Sequence, residues 1–546
     1  MGWLGLLQIP IPSPPYMIYI NKCIYTCIHT YTYIYVYILQ FWLKAHHFQS
    51  EAMPHVLSGV PDNQYSIVTN IRSRFTSATT GQEENVKDKT QVKKRKLVKD
   101  ERHVKKKQQS SKGEEKQAGK VRKVKSAKRR EGHTRRMAFY RTGALREKDP
   151  QRYSAVIACH KYRNQPIHAQ PIPKVQKRDA NGVVRFASDC SGLGTDAIST
   201  KQACHKGGQK IEIEFMTEKV KRTRMMHATL NKFHALKPKK KFSDIARRPG
   251  CKDIDLYVAG PPCQPWSLQT QGKGAEDEKG RGSVIYLVCD FVRSSKPKSF
   301  IIENVPGLLK RHPVDFAAIL HSFVEADYKI SWSIQDASTS GCPQSRPRIY
   351  IIGLRSDCCY KQFTWPQNLR IVPPLSMFLD SDPQAAVQRS FNDTETRNYN
   401  MWETKMKKAG ISLGSETFMM DLQAGKGFGC CVRGKSPCLT YARGKTGGYY
   451  ISTQNRYTNI NEMGRLQGFT TEEVGAIVKS GATKSQIGAA FGNAMHKMVL
   501  DRIVPKVLYA AGLCDEKIED PWKKFDWKKF DGKGKIPDVN AEHTKF

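Results

Sequence analysis

Residues 183–197 read VVRFASDCSGLGTDA: a short apolar run, a turn holding Gly192 and Gly194, and the start of a helix. The same rhythm continues downstream. Apolar runs at Val183–Ser188, Ile211–Phe215, Asp255–Val258, Phe300–Ile302 and Ile349–Ile352 alternate with stretches of helical periodicity such as Thr217–Leu230 and Ser283–Phe291. Strands alternating with helices predict an α/β fold, a doubly wound and mostly parallel sheet covered on both faces. In such a sheet a ligand sits at the carboxyl ends of the strands, where glycines let the backbone approach it closely.

Acidic residues fall where an adenosine would need them. The second strand should end near Glu214 or Glu218, and a carboxylate there can accept from both ribose hydroxyls. Asp244, in FSDI, precedes the next strand and could hold an adenine amino group. The GxGxxG pattern of a pyrophosphate-bearing dinucleotide is absent.

The third strand, DIDLYVAG (253–260), runs into PPCQPWS (261–267), so Cys263 stands at the sheet edge on a turn stiffened by two prolines. A thiolate is the attacking form of cysteine, and the site is expected to lower the Cys263 pKa through positive or hydrogen-bonding neighbours. A polar, glycine-rich loop follows (269–283), of a kind that closes over substrate and excludes water. The fourth strand ends in FIIENVPGL (300–308), which puts Glu303 and Asn304 beside the Cys263 strand. A carboxyl after a buried apolar run is costly unless it has work or a partner. In CPQSRPRIYIIGLR (342–355), Arg346 and Arg348 stand two apart at the start of a strand and face the same side.

Taken together these motifs resemble the DNA (cytosine-5) methyltransferase family in its unpermuted order. They are FASDCSGLGT (186–195), the acidic ribose contact, SDI, PCQ, Arg281-Gly282, ENV, Gln344 to Arg348 as QxRxR, RLQGF (465–469) and GNAM (492–495), spread over about 183–513. The resemblance implies a Rossmann-like catalytic domain and a reaction on a flipped-out cytosine in double-stranded DNA. Cys263 would add to C6, Glu303 would hold N3 and the amino group, Arg348 would bind O2 and Arg346 would support the loop. It also implies S-adenosyl-L-methionine as cofactor, held by Asp189, Gly192, Gly194, Glu218, Asp244 and Asn493, with no metal. The chain departs from the family pattern at Cys190, where an aromatic residue is usual, at Thr195, where a second glycine is usual, and at Ala490, where glutamine is usual. These departures bear on cofactor affinity more than on the reaction. A tRNA cytosine-5 methyltransferase would use the same chemistry, but the Cys-Phe-Thr tripeptide of that branch is missing. A cofactor-impaired, chromatin-binding pseudoenzyme relying on the basic arm is a further reading.

The expected organisation is a catalytic domain over 183–355, a target-recognition lobe over 356–436, a return to the catalytic domain over 437–513 ending in a helix at 493–511, and a polar tail over 514–546. The tail carries WKKFD twice, at Trp522–Asp526 and Trp527–Asp531. Ahead of the domain, 53–182 reads as a disordered basic arm and linker. Residues 87–148 hold 25 Lys or Arg against 7 Asp or Glu, with clusters at Lys93–Lys96, Lys105–Lys107 and Lys128–Arg130. So basic a stretch, almost without aromatic residues, suits phosphate contacts and a nuclear address. The whole chain of 546 residues carries a net charge of +40, which favours a polyanionic partner. Its 15 cysteines, nowhere spaced as CxxC, give no support to a zinc ribbon or redox pair.

Met17–Leu43 is apolar enough to suggest a membrane segment. Yet every residue of CIYTCIHTYTYIYVYI (23–38) can be written with alternating purine–pyrimidine codons, as in a translated microsatellite. Residues 1–52 are accordingly expected to be a non-functional leader, with translation starting at Met53 or later and no membrane association.

Overall fold

The computed structural model describes residues 149–170, 182–248, 250–268, 272–369, 372–381, 390–425, 427–514 and 518–520. The leader, the basic clusters of the arm and the WKKFD repeats lie outside them.

Seven strands form one sheet: β1 (Val183–Asp189), β2 (Lys210–Thr217), β3 (Lys240–Phe242), β4 (Leu256–Ala259), β5 (Ser299–Asn304), β6 (Tyr328–Asp336) and β7 (Pro347–Arg355). Their order is β3-β2-β1-β4-β5-β7-β6. Neighbours from β3 through β5 are parallel, whereas β7 runs antiparallel to both β5 and β6. Five of the strands coincide with the apolar runs of the sequence. β3 is too short and basic to declare itself, and β6 forms because its residues pair along the whole of β7.

Side-chain alternation divides the apolar residues between two cores. Leu256, Val258, Ile301 and Ile352 face one way, with the helices Thr195–Lys206 and Lys497–Ala510. Tyr257, Ala259, Phe300, Ile302 and Ile351 face the other way, with Val284–Ser295 and Pro313–Glu325. Each fully buried side chain of this size contributes about 1.5–3 kcal/mol. Gly353 permits the cross-strand fit, since a Cβ there would lie 2.1 Å from the Phe300 ring. The helix expected at 493–511 is observed at Lys497–Ala510 and packs on Thr195–Lys206.

Two boundaries need correction. The end of the expected arm and linker is folded: the helix Pro150–His160 is capped by the Asp149 side chain, begins with proline and buries Ala155 and Cys159. The Trp332 indole donates to the Cys159 carbonyl at 2.6 Å, and Ile167 pairs with Phe363. These residues fold because their apolar positions fall four apart on one helix face. The second correction concerns the small lobe, whose own core of Leu413, Phe418, Met420, Leu422 and Tyr450 crosses the expected limit at 436. Its sheet comprises β8 (Phe418–Met420), β9 (Cys431–Arg433), β10 (Tyr450–Ile451) and β11 (Arg456–Tyr457) in the order β11-β10-β8-β9. At the other end, Phe363, Leu375 and Phe378 belong to the core of the large domain.

Among the described residues no helix is long and apolar enough to cross a membrane, and no group of three or more His, Cys, Asp or Glu is placed to hold a metal ion.

Burial, reinforced by Arg346, holds the imidazole of His496 down to about 3, although the Leu466 carbonyl on Nε2 opposes the shift. Between that value and the ordinary histidine range the unfolded chain binds a proton that the folded chain does not, so stability falls as pH drops through this window. The loss is up to about 1.4 kcal/mol per pH unit for one such histidine. Melting temperatures measured between pH 7 and 5 should therefore fall less steeply in His496→Gln than in the unsubstituted protein; equal slopes would refute this account.

Candidate active site

Cys263 is carried by the turn that leaves β4. The amide of Gly260 donates to the Asp189 carbonyl, and Asn304 Nδ2, from the end of β5, donates to the Pro261 carbonyl at 3.3 Å. Asn304 Oδ1 accepts from Val305 N at 2.8 Å, so this side chain is held at both ends and fastens the two-proline approach. Cys263 then opens the 3-10 turn Gln264–Trp266, with Trp266 fully buried. Gly307 makes room for that turn, because a Cβ there would lie 1.9 Å from the Trp266 carbonyl oxygen.

Glu303 is buried at the carboxyl end of β5 and pairs with Arg348 Nε at 3.1 Å. Arg346 and Arg348 enter on the same face of β7 but do different things. The Arg346 guanidinium, 2% exposed, donates to the carbonyls of Leu439 at 2.7 Å, Gly492 at 3.1 Å and Ala494 at 2.7 Å. It therefore ties β7 to the 436–440 segment and to the end of the helix Lys484–Asn493. Arg348 turns toward Glu303 instead. Gln344 completes the join, donating to the Leu466 carbonyl and accepting from Leu439 N.

The structure thus brings Cys263, Glu303, Arg346 and Arg348 within electrostatic reach of one another. Burial pushes the Glu303 carboxyl above the usual range, partly offset by Arg348 and Arg346. A carboxyl held above its ordinary range by burial takes up a proton more readily than an exposed one and can pass it to a ring nitrogen. The expectation of a lowered Cys263 pKa is corrected: burial pushes this thiol up, Arg348 offsets only part of the rise and Glu303 adds to it. Cys263 consequently rests as a neutral thiol.

A second thiol escapes sequence reasoning. Cys438 lies against both guanidiniums, 3.6 Å from Arg346 Nη1 and 3.5 Å from Arg348 Nη2. The sole local hint is a Pro-Cys pair at 437–438 that repeats the one at 262–263.

The predicted adenosine-binding residues gather at the carboxyl ends of β1 to β3. Gly192 and Gly194 both have positive φ, +55° and +78°. Nothing lies within 4 Å of a Cβ built on Gly192, whereas one on Gly194 would meet His227 Nε2 at 2.5 Å. Glu218 follows β2 directly, accepts from Gly192 N at 3.0 Å and Val220 N at 2.8 Å, and is pushed up by burial. Glu214 lies within β2 and pairs with Lys239 at 2.7 Å, so Glu218 is the carboxylate beside the glycine turn. Asp244 follows β3 and caps a short turn by accepting from Ala246 N at 3.0 Å. Asn493 is exposed at the turn whose flanking carbonyls Arg346 holds. An open space above one glycine and two carboxylates at adjoining strand ends fit a nucleoside with free ribose hydroxyls.

Asp189 requires correction. It is fully buried, accepts from Thr217 Oγ1 at 2.8 Å and Tyr257 OH at 2.6 Å, and forms an ion pair with Arg248 at 2.8 Å. Its carboxylate supports the loop from beneath and does not face a ligand. Of the departures, Cys190 takes a left-handed conformation and donates its amide to Thr217 Oγ1, while Thr195 and Ala490 are buried.

A family model described as C-5 cytosine-specific DNA methylase matches residues 184–508. The chain is 31% identical over 169 residues to the type II methyltransferase M.MthTI of Methanothermobacter thermautotrophicus, covering 31% of this chain and 51% of that protein. It is 27% identical over 218 residues to the type II methyltransferase M.NgoBI of Neisseria gonorrhoeae, covering 40% and 64%. The chain thus spans between about half and two thirds of these curated relatives. The solved structure of the Entamoeba histolytica methyltransferase EhMeth aligns with a TM-score of 0.43 at 17% identity, covering 60% of this chain and 98% of that one.

Proposed function

From the premise that the chain belongs to the C-5 cytosine-specific DNA methylase family, we propose that it transfers a methyl group from S-adenosyl-L-methionine to C5 of a cytosine in double-stranded DNA. The observation that carries this reading is the meeting of Cys263 with the Glu303–Arg348 ion pair at the ends of two adjacent strands.

A cytosine within the duplex stack cannot reach this edge, so the base must be flipped out. Cys263 gives up its thiol proton to water, the thiolate Sγ adds to C6, and the electron density displaced by that bond accumulates on C5 and N3. Glu303, whose proton affinity burial raises, delivers a proton to N3 as the adduct forms, while Arg348 binds O2. Gly192, Gly194, Glu218, Asp244 and Asn493 would hold the cofactor, which supplies an electrophilic methyl on its sulfonium. After transfer, C5 loses its proton to water, the Cys263 thiolate departs as the C5–C6 double bond re-forms, and N3 returns its proton to Glu303, which restores the aromatic ring. Arg346 touches neither partner and serves by holding the 436–440 segment in place.

Transfer of labelled methyl to duplex DNA, with tRNA as competitor, tests the reading; labelled tRNA with unlabelled DNA would overturn it. A bisulfite readout on a randomised duplex library would then define the target context. The basic clusters from Lys93 to Arg130 support a nuclear setting and extra phosphate contacts. Deleting residues 87–148 is expected to weaken DNA binding for all sequences alike and to flatten its salt dependence, since log K falls by roughly 0.9 per phosphate neutralised. An unchanged slope in binding titrations across salt concentrations would show that this stretch does not touch DNA.

A further inference from the structure

Both arginines of β7 converge on one sulfur 90 or more residues away in sequence. Arg346 Nη1 stands 3.6 Å and Arg348 Nη2 3.5 Å from Cys438 Sγ. The segment bearing that sulfur is fastened on every side. Leu439 N donates to Gln344 Oε1 and Ser345 N to the Ser436 carbonyl, each at 2.9 Å, and the Tyr449 hydroxyl donates to the Cys438 carbonyl at 2.6 Å.

The charges here call for another anion. A buried guanidinium, Arg346, and a half-buried one, Arg348, share one carboxylate, Glu303, through Arg348, while Asp336 meets Arg346 at its backbone amide. Arg346 Nε is buried with no hydrogen-bond partner among the described residues. An unmatched buried cation is unfavourable, and two guanidiniums this close to the sulfur favour the anionic form of Cys438. Burial alone would push this thiol up, but Arg348 and Arg346 outweigh it and hold Cys438 below the ordinary thiol range, the reverse of Cys263. The groups bearing on it are Arg346 and Arg348 from β7, Glu303 from β5, Cys263 from the turn after β4, and Tyr449.

We propose that Cys438 is a second reactive thiol of this site, a modification site for soft electrophiles that reacts ahead of Cys263 and whose capping stops turnover. Only the last clause rests on the function proposed above. With iodoacetamide as probe, the Cys438 thiolate forms an S–C bond to the methylene carbon, the C–I bond breaks and iodide leaves with the bonding pair. The thiol proton is released to water before attack, and the two guanidiniums make its release easier here than at Cys263. Capping puts a bulky group where the two arginines converge, and this crowding is what stops turnover.

The test is limited alkylation of the full chain without DNA at a series of pH values, with peptide mass mapping of Cys438 and Cys263. Cys438 should be labelled first at neutral pH and its labelling should level off at a lower pH than that of Cys263, which should rise about tenfold per pH unit as its thiolate fraction grows. In Arg348→Gln the labelling of Cys438 should slow at neutral pH and level off only at a higher pH. Methyl transfer should decline in step with Cys438 labelling, and in Cys438→Ser only in step with Cys263 labelling. Labelling of Cys263 first, a Cys438 pH profile that levels off no lower than that of Cys263, or full turnover with Cys438 capped would each overturn the proposal. The labelling order decides the reactivity of the thiol even if the chain methylates no DNA.

Discussion

Cys263→Ala is expected to lower methyl transfer on the order of 10⁴-fold or more, because removing a nucleophile that acts in concert with its neighbours leaves only binding and electrostatics. Affinity for duplex DNA should change little, since phosphate contacts do not need the thiol. The fold should also survive: the turn is held by Asn304, Trp266 and Gly307 rather than by the half-buried sulfur. The covalent step can be read directly. A duplex carrying 5-fluorocytosine has no C5 proton to lose, so the unsubstituted protein should remain attached to it through denaturing electrophoresis, while the alanine variant should run free. Retention of a tenth of the turnover by Cys263→Ala would remove this residue from the mechanism.

Glu303→Gln is expected to cost about 10²–10⁴-fold in kcat, the usual range for a positioned proton donor. Glutamine keeps the shape of the side chain and can still accept from Arg348 Nε, but it carries no proton to give to N3. The substitution also leaves Arg348 without its carboxylate, and breaking a buried pair in this way costs about 3–5 kcal/mol. Circular dichroism and melting should therefore accompany the single-turnover measurement. A folded Glu303→Gln variant with turnover within a factor of ten of the unsubstituted protein would place the proton donor elsewhere.

The positions of Cys263 and Glu303 at the sheet edge were legible in the sequence for a local reason. Each follows directly on an apolar run, and prolines flank Cys263, so strand end and turn are encoded within a few neighbouring residues. The same holds for the glycine turn at 192–194 and for the shared side of Arg346 and Arg348, which follows from the two-residue period of a strand. The helix Pro150–His160 was hidden because its basic surroundings mask an apolar face of only Ala155 and Cys159.

By itself, then, the sequence determined the alternating α/β plan, the strand ends that carry the site and the family pattern of the motifs, since all of these depend on neighbours close along the chain. Tertiary structure alone decided the insertion of β7 in reverse between β5 and β6, the burial of Asp189 beneath its loop, the protonated resting state of Cys263 and the arrival of Cys438 between two arginines. Strand order is settled by how two cores pack on one sheet. Proton affinity is settled by burial and by the approach of groups such as Arg346 and Cys438, which stand 92 residues apart in the chain and 3.6 Å apart in space.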